Sequence, residues 1–467
     1  MPERMPSAAA SLAELVERVS TILVGPTDVP TLEQALDGLV RHAHHDREAL
    51  AGALKPMLAS HTWARTDTAD DGIPAHLGYV AQAALGTFTA ADITHAYRDP
   101  RSPLGGKDLT PFGTVLAARF VEAAHQLVTG PPPFLLATPS HLDGTIEPAD
   151  LVARLSAYEH ARVEPGDIDF SQALLRLHGT ASEQTIAAAN ALRSDHGHRL
   201  AHWLHAGGPA FPRPTPTITG PGRSGLSPTW LGVRRLLAAV AATTVPTPVS
   251  RPLNRLLKTL HAGDGVPELA AGTESTEHWP AVIPTQPDLV ATWCLSRIAV
   301  NTIHNRSGTS PLLTALVRSR GPAGSAVHLA VGYALGAQSP DDRAGAVDAT
   351  LLLSDRGELD PAMLGRQLAD LVGLKGVKPT RLATALTDLT HAGAHDLVWD
   401  LLAAALPGLL SGAPAPGLAG LVAIASHNAE LCGARGVIPQ VAQLSAHSTG
   451  RLKREAHRLH TILTSAS

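Results

Sequence analysis

The sequence predicts an all-α protein: antiparallel helix pairs stacked into a curved solenoid, interrupted by a Pro/Gly-rich connector. Three observations predict it. Hydrophobic residues make up 44% of the 467-residue chain and aromatics only 3%, so small aliphatic side chains do the burying and helices can approach closely. Apolar residues recur at steps of three and four, the period of one helix face. Short breaks containing Gly, Pro and Asp separate these runs, as in an antiparallel helical array. The length exceeds what one helical core organises. The expected division is N-terminal repeats over 1–130, central repeats over 131–208, the connector over 209–285 and C-terminal repeats over 286–467.

Taken in order, Leu12, Leu15, Val16, Val19, Ile22 and Leu23 mark a first helix that Gly25-Pro26 stops. In "TLEQALDGLV", Thr31 and Gln34 stand at capping-box spacing ahead of the Leu32, Leu36, Leu39, Val40 stripe. "REALAGALKPML" then repeats Leu50, Leu54 and Leu58 at steps of four. The stretch "GTIEPADLVARL" from Gly144 returns as "GELDPAMLGRQL" from Gly357, and each copy reads as a helix start. Glu147 or Asp360 takes the N-cap, and Pro148 or Pro361 the first helical position, where a missing N–H is harmless. Gly144 or Gly357 permits the sharp turn, and Ile146 or Leu359 staples onto the first turn. The apolar runs "FLLA" and "ATLLL" upstream fit the end of a preceding helix, so each copy is expected to be a helix–turn–helix joint. The carboxylates are therefore caps, not catalytic acids.

From Gly207 to Gly225 the chain is too rich in Pro and Gly for regular helix. The connector 209–285 is expected to be irregular apart from one or two helices, such as "TWLGVRRLLAAVAAT". "PDLVATWCLSRIAVNTIH" restarts the helical pattern. Leu401 to Ser426 lacks charged residues, but Pro407, Pro414 and Pro416 interrupt it, so it reads as helix, turn, helix and not as a membrane span. Charged residues are 17% with a net charge of −4, which supplies no global field for nucleic acid or anionic membrane. Two cysteines, Cys294 and Cys432, exclude a disulfide framework. The charged N-terminus lacks the apolar core of a secretion signal, and a soluble cytoplasmic protein is expected.

Several blocks together, among them "PFLLATPSHLDGTIEPADLVARL", "WLHAGGPAFP", "EHWPAVIPTQPDLVA", "AVDATLLLSDRGELDPAMLG", "VWDLLAAALPGLL" and the closing "GARGVIPQVAQLSAHSTGRLKREAHRLHTIL", resemble an actinobacterial family of unknown function. The resemblance spreads over residues 130 to 467. It implies a HEAT-like α-solenoid, encoded near SWIM zinc-finger proteins and often near MoxR-type ATPases and von Willebrand A domain proteins. It also implies a chain shorter at its N-terminus than many members. It brings no catalytic residues.

The strongest chemical candidates are histidines. "RHAHHDRE" presents His42, His44, His45 and Asp46; "SDHGHRLAHWLH" presents Asp195, His196, His198, His202 and His205. His198, His202 and His205 are neighbours on a helix and form a weak zinc-ligand candidate, yet Arg199 stands where a metalloprotease helix has its glutamate. "GPGRSG" at 220–225 matches G-x-G-x-x-G but follows a Pro-rich stretch instead of a strand, which makes it a loop. Apolar neighbours make Cys294 an inert thiol, and Cys432 and His427 diverge at i, i+5 on a helix. Arg451, Lys453, Arg454 and Arg458, opposed only by Glu455, read as a solvated helix end over a Leu452, Ala456, Leu459, Ile462 stripe. The expected role is a non-enzymatic scaffold for partner proteins, a SWIM zinc-finger protein by resemblance, with no cofactor. The alternatives are a metal-dependent enzyme using the histidines and a solenoid binding nucleic acid through the basic C-terminal helix.

Overall fold

A computed structural model describes residues 3–6, 9–61, 72–98, 111–208, 211, 275–412, 415–447 and 450–465. The N-terminal helices are α1 (Leu12–Val24), α2 (Val29–His45), α3 (Arg47–Ser60), α4 (Ile73–Ala84), α5 (Ala90–Arg98) and α6 (Pro111–Thr129). The central ones are α7 (Pro148–Ala161), α8 (Asp167–Leu175), α9 (Glu183–Asn190) and α10 (Asp195–Ala206). A short 3-10 turn, Thr276–Ala281, leads into α11 (Pro287–His304), α12 (Ser310–Arg318), α13 (Ser325–Leu335), α14 (Pro340–Asp355) and α15 (Pro361–Gly373). The array ends with α16 (Pro379–His391), α17 (His395–Leu410), α18 (Leu418–Leu431), α19 (Pro439–His447) and α20 (Gly450–Thr464). The fold is all-α. Among the described residues the only extended pairings are two isolated bridges, Arg4 with His141 and Ile146 with Leu177.

From α11 onward each helix packs on the helix two places further along. One layer is α11, α13, α15, α17 and α19, and the other is α12, α14, α16, α18 and α20. This is the two-layer ladder of an α-solenoid, in which each repeat buries its apolar face only against its neighbours. Small residues let the layers close. At Gly365 an added Cβ would stand 2.3 Å from the Leu401 carbonyl oxygen across the α15–α17 contact.

The apolar interior forms two bodies that share α6. Phe120, Ala124 and Leu127 belong to the N-terminal one, whereas Phe112, Val115 and Leu116 belong to a larger one that runs through Leu200 and Trp279 to Leu463. The last part of the expected connector therefore lies inside the main core. Trp279 is 1% exposed and stacks on Phe112 with ring centroids 5.4 Å apart. The "TWLGVRRLLAAVAAT" and "GPGRSG" stretches lie outside the described residues.

Three local expectations need correction. The second helix starts at Val29, not after Thr31, because Asp28 accepts the Thr31 N–H at 2.9 Å; Gln34 turns instead to Arg18 and the Pro6 carbonyl. At the repeated motif, Asp360 caps Met363 N at 2.9 Å as expected, but the Glu147 side chain makes no cap bond. It pairs with Arg4 and with His141 Nε2, each at 3.1 Å, leaving its helix end to Pro148. Finally, "ATLLL" ends α14, yet Phe134–Ala137 is not helical. Three consecutive prolines, 131–133, precede it, and side chains replace its helical hydrogen bonds. Both motif glycines turn with positive φ, 86° at Gly144 and 67° at Gly357.

Candidate functional site

The irregular segment 134–138 threads through the junction of the N-terminal and central helices, and its backbone is satisfied almost wholly by buried side chains. Asp37 of α2 accepts Leu135 N at 2.8 Å, and Asp169 of α8 accepts Leu136 N at 2.6 Å and Ala137 N at 3.1 Å. Arg154 donates to the Leu136 and Thr138 carbonyls, and the Tyr158 hydroxyl to that of Phe134. Beneath them Glu33 holds two guanidinium groups, Arg119 at 2.5 and 2.6 Å and Arg176 at 2.7 Å. Arg176 is fully buried and also donates to Ala137 O at 2.5 Å and Ala281 O at 2.8 Å. Gln172 adds a bond to Val282 O at 2.7 Å. One charged cluster thus ties α2, α6 and α8 to the backbone on both sides of the connector.

Burial opposes ionisation of Glu33, but Arg119 and Arg176 overcome it and hold the carboxyl down at about 2. Burial pushes Glu122 of α6 the other way, up to about 7, although it accepts Ile168 N at 2.9 Å and Asp169 N at 2.7 Å at the start of α8. Sequence reading missed this whole cluster. The available signal was ionisable residues inside apolar runs, such as Glu122 in "RFVEAAHQLV".

The residues singled out from the sequence lie elsewhere. His198, His202 and His205 are exposed along α10, with His205 Nε2 3.3 Å from Asn190 Nδ2. His196 packs edge-on against Phe170, and burial lowers its affinity for a proton. His44 bonds the Pro131 carbonyl at 2.8 Å, and His42 lies 3.3 Å from Ala9 O. Among the described residues no three His, Cys, Asp or Glu side chains gather to hold a metal ion. Cys294 is buried, and partial burial together with Asp396 pushes the Cys432 thiol up to about 11. On α20, Arg458 pairs with Glu430 at 3.0 Å and Arg451 with Glu455 at 3.9 Å, while Ala456, Leu459 and Leu463 are buried.

A hollow of about 210 Å³ opens on the charged junction itself, lined by Asp37, Thr138 and Arg154, and two others lie nearby. One, of about 280 Å³, lies where the Pro26–Asp28 loop and the start of α2, the Leu142–Gly144 turn, the 3-10 turn and α12 meet, with Asp28, Glu277 and Arg318 at its walls. The other is an open cleft of about 1260 Å³ between α7 and α9.

Over residues 11–207, which span α1 to α10, the chain is similar to the family described as a domain of unknown function (DUF7824). No curated protein and no solved structure matches the chain. The family match lies mainly N-terminal to the blocks behind the sequence resemblance, and the two overlap in the central helices. No helix among the described residues is long and apolar enough to cross a membrane.

Proposed function

We propose that the chain is a non-enzymatic, cytoplasmic helical-repeat scaffold that holds partner proteins, with a SWIM zinc-finger protein as the partner to which the sequence resemblance points. The observation that carries this reading is the unbroken two-layer ladder from α11 to α20. Such ladders present long surfaces that bind proteins through shape and many distributed contacts. The charged junction supports it, because Glu33, Asp37, Asp169 and Arg176 spend their hydrogen-bonding capacity on backbone and on one another. That arrangement stiffens the N-terminal and central helices as one body.

Native mass spectrometry of the full chain, purified gently from its own host, tests the reading. A stoichiometric additional protein mass is expected. A bare chain, or one carrying only a metal ion, overturns it.

A further inference from the structure

We propose that residues 3–6 are an exchangeable strap lying in an arginine-reading slot, and that an extended, arginine-bearing segment of a partner protein takes their place. The proposal deepens the scaffold reading and rests on it. The strap runs antiparallel to Ser140–Leu142: Met5 N donates to Ser140 O at 2.9 Å, and Leu142 N to Glu3 O at 3.0 Å. Between these bonds the Arg4 guanidinium reaches Asp150 at 2.8 Å and Glu147 at 3.1 Å. This is the geometry of strand addition, in which main-chain bonds give affinity and a side-chain site gives selectivity. Arg4 itself shows which side chain the two carboxylates accept.

The slot is rigidly built, and the strap is held loosely. Ser140 and His141 are 5% and 4% exposed. The Ser140 hydroxyl donates to Asp150 at 2.5 Å, and His141 Nε2 lies 3.1 Å from Glu147, so the slot's own residues aim both carboxylates. Glu147 has also left the duty that its motif counterpart keeps. Asp360 caps its own helix, whereas Glu147 caps nothing, and a local rule broken in this way marks a residue placed for function. The strap contributes little in return. Glu3, Arg4 and Pro6 are exposed and only Met5 is half-buried. With the Arg4 side chain 59% exposed, its ion pairs hold weakly, and a segment with so few buried contacts opens locally. The strap also fits incompletely. The hollow of about 210 Å³ lies among Met5, Pro6, Asp37, Thr138 and Arg154, and the Thr138 hydroxyl in its lining is buried with no hydrogen-bond partner among the described residues.

The test uses the full chain carrying Arg4→Ala, which loosens the strap, and a fluorescein-labelled peptide copying residues 3–6, Glu-Arg-Met-Pro, followed by anisotropy. The peptide should bind this variant roughly tenfold more tightly than it binds wild type, where the tethered strap competes. A peptide with alanine in place of its arginine should bind neither chain. Adding Glu147→Gln and Asp150→Asn to the Arg4→Ala chain should abolish binding. The alanine peptide needs no altered slot, so it separates recognition from misfolding. No binding to the Arg4→Ala chain, or equal binding of both peptides, overturns the slot. A native partner held equally by wild type and by the Glu147→Gln, Asp150→Asn chain overturns the exchange but leaves the scaffold standing; no partner on the wild-type chain removes the scaffold itself.

Discussion

Glu122 accepts two backbone N–H bonds, yet burial raises its pKa to about 7, helped by the neighbouring Asp169. The folded chain therefore binds this proton more tightly than the unfolded chain, whose value is near 4.5. Folding stability is lost as pH rises through that window, not as it falls. Glu122→Gln keeps an acceptor for α8 and removes the titration. Thermal melts of both proteins from pH 5 to pH 8 check it: wild type should lose about 2–3 kcal/mol relative to the variant as pH rises. Parallel melting curves would show that Glu122 does not titrate in this window. Asp288 repeats the arrangement on α11, raised to about 6 by burial while it accepts Ala326 N at 2.8 Å and Val327 N at 2.9 Å at the start of α13. At this scale the sequence was a partial guide. The spacing of His198, His202 and His205 did put them along one helix, but periodicity says nothing of whether that side meets solvent or a partner. The same blindness hid Glu122, whose acceptor role depends on a helix start 46 residues away.

Between elements, a recurring device sets how successive helices stack. A side chain on one helix caps the N-terminus of another, usually two along: Glu122 of α6 on α8, Asp288 of α11 on α13, and His328 of α13, whose Nε2 accepts Asp360 N at 2.8 Å before α15. Asp342 of α14 reaches back to Thr309 N and Ser310 N of α12, both at 2.8 Å. Exposed N–H groups at helix starts are thus satisfied by the neighbour, which fixes register as well as energy. Local caps were legible in part: Asp360 obeys the spacing rule, whereas Thr31 and Glu147 offer the right residue type but make no cap bond; caps from a distance have no local spacing to obey. Helix-start prolines were equally legible at Pro148 and Pro361, whereas Phe134–Ala137 was misjudged because apolar runs look alike in a helix and in a buried irregular segment. Close approach supplies a paired prediction. Gly365→Ala should destabilise by about 1–3 kcal/mol, because its Cβ would meet the Leu401 carbonyl and force α15 off α17. Gly52→Ala, on α3 with nothing within 4 Å, should stabilise by roughly 0.5–1 kcal/mol through helix propensity alone. Denaturant melts that move both variants in the same direction would defeat the close-packing account.

Across the whole molecule, composition placed a boundary at the Pro/Gly-rich stretch, while packing places continuity at its end. Trp279, Val282 and Ile283 share one apolar body with Phe170, Leu200 and Leu295, and no period in the sequence announces a contact made across such a separation. Where the two bodies meet along α6, a buried charge cluster adds to the shared helix, with Glu33 from α2 at the centre. Replacing it by glutamine leaves Arg119 and Arg176 buried with no anion between them, and breaking a buried pair from one side typically destabilises by about 3–5 kcal/mol. Arg41→Gln is the control. Its partner Asp37 is 2.5 Å away, but Arg41 is 42% exposed, so screening by water should hold the loss to about 1 kcal/mol or less. The acid limb separates a specific ion pair from general damage. Because Glu33 is held near 2 in the folded chain against 4.5 in the unfolded one, its contribution is complete above about pH 4.5 and disappears as pH falls through that window. The Tm gap between wild type and Glu33→Gln should therefore be widest near neutrality and narrow toward pH 2, as followed by circular dichroism. A gap that stays constant through the acid range would mean that the carboxylate acts by shape alone, and that the carbonyls of Ala137 and Ala281 hold Arg176 without it.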